Sequence, residues 1–365
     1  MIPFHNFQNE PVDLITREIS AASRVIRSGS YILGTELNNF ESNWAGYCGA
    51  EYAIGVANGM DAIEIGLRSI GIQPGDEVIT TAMTAFATIL AISKVGAVPV
   101  FADIEPDTGL LSIESSMRCV NEKTKAVLLV HLYGHMNELS RWKKECLKRD
   151  IFLLEDCAQS HGAKWDGIAG GGFGEWGAYS FYPTKNLGAI GDAGAIVTNS
   201  IAIDQTSRVL RNYGQSERYC HSMLGLNSRL DEIQAAILIE RLGFLDWFIK
   251  RRRDIAELYQ NNLSNHLIEN MATSKYLENH VYHLYVVLSP KRNQLATYLQ
   301  ENGITTLIHY PTPAHLQPAD FEFRIGPGGL SCAEKHAELC LSLPCNPQMS
   351  DQDVWYVIDK VNNFI

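Results

Sequence analysis

Apolar positions in the first two-thirds of the chain alternate between short unbroken runs and longer runs with a helical period. From Asn58-Gly59 they recur at Ala62, Ile63, Leu67 and Ile70, which lie on one helix face. That pattern stops at Gly71, before the turn Gln73-Pro74-Gly75-Asp76. A strand is predicted over Glu77–Thr81, then a helix over about residues 84–95, a strand over Val98–Ala102 and, past Asp107-Thr108-Gly109, another helix. The runs at 126–131 and 151–154 read as strands on either side of a polar helix near 138–148, and 178–181 reads as a further strand. Strands that are apolar on both faces and separated by helices describe an α/β protein with a parallel sheet covered on both sides.

From Leu230 the pattern changes. A long helical period over 230–263, weakest at Gly243, leads to a strand near 282–288, a helix near 294–301, a strand at 304–309 and a last helix after Ser350. The expected organisation is a large domain over residues 1–245 and a smaller α+β domain over 246–365, joined through the long helix. No internal repeat or low-complexity tract interrupts it.

Composition narrows the function classes. With 365 residues, 46% hydrophobic and 19% charged, the chain can bury two substantial cores and does not resemble a disordered one. A net charge of −11 argues against nucleic acid as a partner, and the basic run Lys250-Arg251-Arg252-Arg253 reads as a solvated helix face. The longest apolar stretch, 86–102, is broken by Ser93-Lys94 and Pro99 and falls short of the roughly 20 residues a membrane span needs. Residues 1–6 have neither a basic nor an apolar leader region, which reads against secretion. The eight cysteines form no CxxC pair, so a reducing cytoplasm is expected, with no disulfide framework and no zinc site.

Few motifs suggest a common cofactor. Gly172-Phe173-Gly174-Glu175-Trp176-Gly177 matches G-x-G-x-x-G, but it precedes a strand-like run instead of opening a helix. His131 and His135 sit at a strand end with no third ligand in view and read as structural, so no metal is expected. More informative is the turn Asn58-Gly59-Met60-Asp61, whose free backbone N–H groups at a helix start suit a phosphate. The strand at 151–156 ends on Glu155-Asp156, and beyond the next strand comes Ser180-Phe181-Tyr182-Pro183-Thr184-Lys185-Asn186. A strand-end Asp, a Lys past the following strand and a phosphate-binding helix start together describe pyridoxal 5′-phosphate (PLP) chemistry. The Lys forms a Schiff base, the Asp pairs with the protonated pyridine nitrogen, and the helix start holds the phosphate. Glycines near Lys185 would let backbone approach the cofactor closely.

These runs resemble a known family. Glu155-Asp156-Cys157-Ala158-Gln159-Ser160-His161-Gly162-Ala163, the lysine segment through Gly188, Arg211-Asn212-Tyr213-Gly214, residues 225–236 and Gly29-Ser30-Tyr31-Ile32-Leu33-Gly34 are similar to the DegT/DnrJ/EryC1/StrS nucleotide-sugar aminotransferases. The resemblance implies the fold-type-I PLP aminotransferase architecture: a large domain with a mostly parallel seven-stranded sheet between helices, plus a smaller C-terminal α+β domain. It also implies a homodimer with shared active sites, and a cofactor that passes through its amino (PMP) form.

Carried over, Lys185 is the Schiff-base lysine and proton shuttle, Asp156 pairs with the pyridine nitrogen, and Gln159 lies near the ring face and hydroxyl. Gly59 and Met60 would offer N–H groups and Ser180 a hydroxyl to the phosphate, with Asn227 reaching in from the other subunit. The family's T-x-x-A-T motif carries an aromatic after its first Thr. Here Ala85 stands at that place with Phe86 beside it, and Phe86 is the candidate for the ring face.

The lysine segment and His309-Tyr310-Pro311-Thr312-Pro313-Ala314-His315-Leu316-Gln317-Pro318 look most like enzymes aminating C3 of dTDP-linked 3-keto-6-deoxyhexoses. L-glutamate is then the implied donor, and Tyr31, Tyr182, Arg229, His309 and Tyr310 are candidate substrate contacts. Amination at C4 is the alternative, although that subgroup carries His where Tyr stands before the lysine. A non-catalytic regulator on the same fold is the more distant one, and the sugar configuration stays open.

Overall fold

The computed structural model describes residues 1–274 and 276–365. Its central feature is an eight-stranded sheet in the order Tyr52–Val56, Gly194–Thr198, Trp176–Ser180, Phe152–Asp156, Thr124–Val130, Glu77–Thr81, Val98–Ala102 and Arg324–Ile325. The two pairings made by Gly194–Thr198 are antiparallel and the others parallel. Successive residues of Thr124–Val130 enter opposite cores: Ala126 and Leu128 pack with Ile54, Ile65 and Trp176, and Val127 and Leu129 with Leu37, Phe40 and Trp44. Burial on both faces explains why these strands read as unbroken apolar runs, each large side chain contributing roughly 1.5–3 kcal/mol.

The strands expected at 77–81, 98–102, 126–131, 151–154 and 178–181 all form, within a residue or two at their ends. Seven strands of the sheet come from the first 200 residues. The eighth, Arg324–Ile325, is a two-residue addition that returns from the C-terminal part of the chain. The long helical period over 230–263 is two helices, Glu232–Leu242 and Leu245–Asn262, broken at Gly243 and Phe244.

After them a three-stranded antiparallel sheet of Glu269–Asn270, Tyr285–Leu288 and Cys340–Leu343 packs with the helices Arg292–Glu301 and Asp351–Asn362. Its core includes Ile255, Tyr259, Leu295, Leu299 and Val357. The strand expected at 304–309 does not form. Ile304 bridges to Ile2 and Leu307 to Ser342, so the segment pairs with two different neighbours at single points and builds no continuous ladder.

The basic run is not a solvated face. Lys250 is exposed, but Arg252 is buried and donates to the carbonyls of Tyr282, His283 and Cys345, while Arg251 pairs with Asp351 at 2.8 Å. The run therefore ties the helix Leu245–Asn262 to the C-terminal sheet. All eight cysteines are free thiols, six of them buried. Among the described residues, no helix is long and apolar enough to cross a membrane.

Candidate active site

Three groups converge at one end of the large sheet because of strand direction. Trp176–Ser180 runs parallel to Phe152–Asp156, so Ser180 and Asp156 both stand at C-terminal strand ends. Ser180 pairs with Gly194, and Gly194 pairs with Val56, which brings the chain that follows Val56 to the same place. There the helix Gly59–Ser69 opens, capped by Asn58, whose side chain accepts the Asp61 N–H at 2.9 Å. The first-turn N–H groups of Gly59 and Met60 have no partner within a helix. They lie beside the Ser180 hydroxyl, a donor set that suits a phosphate.

The contact is close enough to require glycine. A Cβ on Gly59 would stand 2.6 Å from the Ser180 Cβ, and one on Gly194 would run into the Asn58 carbonyl. Gly59→Ala is expected to push the helix start away from Ser180 and cost about 1–3 kcal/mol, read as a lower Tm together with weaker phosphate-ligand binding. An unchanged Tm with unchanged binding would show that the cradle is not tight.

Asp156 is 6% exposed. Its Oδ2 accepts the Thr88 hydroxyl at 2.8 Å and its Oδ1 accepts the Ala158 N–H at 3.1 Å, while Thr84 and Thr88 bond each other at 2.8 Å. Burial raises the Asp156 pKa, opposed by the Thr88 hydroxyl, the Ala158 N–H and the Lys185 charge. A carboxylate held this way is stabilised by a cationic N–H partner.

Lys185 is half-buried, and the closed surroundings of its amine lower the pKa to about 8, with Asp156 pulling the other way. His5, His161, His283 and His309 are each held neutral, first by burial and then in part by the Lys185 charge. The amine is thus opposed by one acid, Asp156, among histidines that carry no charge.

Gln159, 5% exposed, is fixed at both ends of its amide. Oε1 accepts the Tyr133 backbone N–H at 2.6 Å, and Nε2 donates to the Tyr310 hydroxyl at 3.1 Å. Tyr133 also donates its own hydroxyl to the His309 carbonyl at 2.5 Å. The segment carrying His309 and Tyr310 is in this way pinned to the large sheet.

Tyr182 joins this end through its backbone, its N–H donating to the Ser180 hydroxyl at 3.4 Å and its carbonyl accepting the Lys185 N–H at 2.8 Å. Phe86 opens the helix Phe86–Lys94 and packs edge-to-face on Phe321, with ring centroids 5.6 Å apart. Tyr31 and Tyr182 are about half exposed, and Asn227 is exposed, bridging Asn212. Arg229 lies over the Tyr213 ring at 5.3 Å. Among the described residues, no hydrogen bond joins Tyr31, Asn227 or Arg229 to Lys185, Asp156 or Gln159.

The glycine-rich run has a structural use. The Gly171 and Gly174 N–H groups donate to Glu155 Oε1, whose Oε2 meets His131 Nε2 at 3.0 Å. His135 instead stacks on His280, so the two histidines do not share a ligand. Sequence reasoning missed Thr88 and Tyr133. Thr88 lay in view as the last residue of the Thr84-Ala85-Phe86-Ala87-Thr88 motif, whereas nothing local marks Tyr133.

The profile of the DegT/DnrJ/EryC1/StrS aminotransferase family matches residues 12–362. The chain belongs to this family. It is 42% identical to the dTDP-3-amino-3,6-dideoxy-alpha-D-galactopyranose transaminase of Aneurinibacillus thermoaerophilus, over 100% of this chain and 99% of that one. It is also 40% identical to the pleiotropic regulatory protein of Geobacillus stearothermophilus, over 100% and 98%. Among solved structures, S. venezuelae DesV in complex with a ketimine intermediate superposes with a TM-score of 0.93 at 39% identity, covering 99% of this chain and 97% of that one. The fold is that of the PLP aminotransferases, and the chain is a transferase of the nucleotide-sugar aminotransferase family.

Proposed function

We propose that the protein aminates C3 of a dTDP-linked 3-keto-6-deoxyhexose to give the 3-amino-3,6-dideoxy sugar, using PLP and L-glutamate. The observation that carries this reading is the meeting of Lys185, Asp156 and the Gly59–Ser180 cradle at one sheet end. Full-length identity of 42% to a transaminase of such a sugar supports the substrate class.

PLP supplies an electron sink for the pair left when a proton departs from the carbon bearing nitrogen. The residues present fit it: the first-turn N–H groups of Gly59 and Met60 and the Ser180 hydroxyl would hold its phosphate, Asp156 its ring nitrogen, and Gln159 its ring hydroxyl. Lys185 takes the proton from glutamate Cα and later delivers a proton to sugar C3. An amine with its pKa near 8 can do both at neutral pH. The nitrogen leaves glutamate, which takes a keto oxygen from water and departs as 2-oxoglutarate, and it replaces the C3 keto oxygen of the sugar, which departs as water. Tyr182, His309 and Tyr310 are the candidate sugar contacts of the same chain.

We read the protein as a homodimer whose partner subunit completes the site with Asn227, Tyr31 and Arg229. The exposure of Tyr31 and Asn227 on this chain supports that, as do the apolar side chains Ile19, Ile26 and Leu224 left uncovered. The free thiols support a reducing, cytoplasmic setting. A core gathered around Tyr259 and Val357 supports the division into 1–245 and 246–365.

Similarity to a protein named as a regulator gives a second reading. A complete Lys, Asp and Ser set favours catalysis over it. The deciding experiment incubates the PLP-loaded protein with glutamate and a panel of dTDP-3-keto and dTDP-4-keto sugars, followed by NMR of the product. An amine on C3 is expected. An amine on C4 overturns the regiochemistry, and no amine on any sugar overturns the enzymatic reading.

A further inference from the structure

The bonds around Gln159 leave little freedom in who donates to whom. The Tyr133 N–H can only donate, so the Gln159 atom it meets is Oε1 and the other end of the amide is the NH₂ group. That NH₂ donates to the Tyr310 oxygen, which leaves the Tyr310 O–H proton free to point elsewhere. The His309 carbonyl can only accept, so the Tyr133 hydroxyl donates to it. The Tyr133 oxygen must then accept from His336 Nε2 at 2.9 Å, which fixes the His336 tautomer and leaves its Nδ1 as the unpartnered buried atom observed. Tyr133 is 3% exposed and stands at φ +63°, a conformation bulky residues seldom adopt, held here by bonds at both its backbone and its hydroxyl. One buried tyrosine thus grips both residues that frame Tyr310: Gln159 through its N–H, and His309 through its hydroxyl.

We infer that Tyr133 is a positioning residue that aims the Tyr310 hydroxyl, whose free proton is donated to an oxygen acceptor on the hexose of the nucleotide sugar. This rests on the site reading given above for Lys185 and Asp156. Tyr133 touches neither substrate nor cofactor on this account. Its effect passes through His309 and Tyr310, and the glutamate half of the reaction does not need it.

The test compares Tyr133→Phe, Tyr310→Phe and the double variant in the full-length, PLP-loaded enzyme. Each single change is expected to raise KM for the ketosugar, and the Kd of the aminated nucleotide-sugar product by calorimetry, by roughly three- to tenfold, the worth of one hydrogen bond. For Tyr133→Phe the glutamate half-reaction should stay within about twofold of the wild type. The double variant should bind no worse than the poorer single, because both remove the same contact. Independent, multiplying losses, or an equal loss in the glutamate half-reaction of Tyr133→Phe, would overturn the inference. If Tyr133→Phe does not fold, His336→Ala replaces it in the same cycle. His336→Gln, which keeps an N–H donor, should restore wild-type sugar binding. Borohydride labelling of Lys185 is run on every variant: label present with no coupling sinks this inference alone, and label absent from the wild type sinks the site reading beneath it.

Discussion

Lys185→Ala should cut turnover by at least about 10⁴-fold, since it removes the base that moves the proton in both half-reactions, and general acid–base catalysis alone is worth roughly 10²–10⁴. Binding should survive the change. The phosphate cradle of Gly59, Met60 and Ser180 and the Asp156 carboxylate stand on strand and helix ends that do not depend on the lysine side chain. The variant is therefore expected to bind PMP and nucleotide sugar near wild-type affinity by calorimetry while giving no product. A variant that still turns over would assign the proton transfers to another group, and a loss of PMP binding would mean that the lysine organises the pocket. The amine also has a pH signature. Its pKa near 8 lies below that of an ordinary lysine, so its neutral, nucleophilic form predominates above about pH 8. Loading of the apoprotein with PLP should accelerate up to that pH and level off beyond it.

Asp156→Asn should lower kcat by roughly 10²–10³, with similar losses in the glutamate and ketosugar half-reactions, because a fixed charge used in both transition states has been removed. The amide keeps the shape and can still accept from Thr88. Stability should move the other way. Burial raises the Asp156 pKa above that of an unfolded chain, so the folded apoprotein binds its proton more tightly. The penalty for ionising it is absent below the unfolded pKa and grows as pH rises from the unfolded pKa toward the folded one. Asn carries no such penalty, and the apoprotein of the variant should melt at or above the wild-type Tm at pH 7. An inactive variant with a lowered Tm would point to a structural role for Asp156.

Much of this site could be read from local runs of sequence. Asp156, Ser180 and Gly59 each end a strand or open a helix, and strand direction alone sends such positions to one end of a parallel sheet. The break at Gly243 was likewise visible as the weakest point of a long helical period. What could not be read depends on partners distant in sequence. Tyr133 meets His309 and His336, so nothing around it in the chain signals its role. Arg252 meets the carbonyls of Tyr282, His283 and Cys345, yet its basic neighbours give it the pattern of a solvated face. The segment 304–309 carries apolar residues suited to a strand, but Ile304 and Leu307 turn to different neighbours. Phe86, next to the motif's expected aromatic position, packs its ring edge-to-face on Phe321, a contact no local pattern encodes. Tyr31 and Asn227 stand exposed on their own chain, and for Asn227 only the family resemblance pointed to the other subunit.

Everything proposed for the site depends on Lys185 as the attachment point of the cofactor. Borohydride reduction of the purified PLP-loaded protein, followed by proteolysis and mass spectrometry, tests it directly. A phosphopyridoxyl adduct is expected on the peptide carrying Lys185, and its loss is expected in Lys185→Ala. An adduct on a different lysine, or a wild-type protein that takes no label, would contradict it.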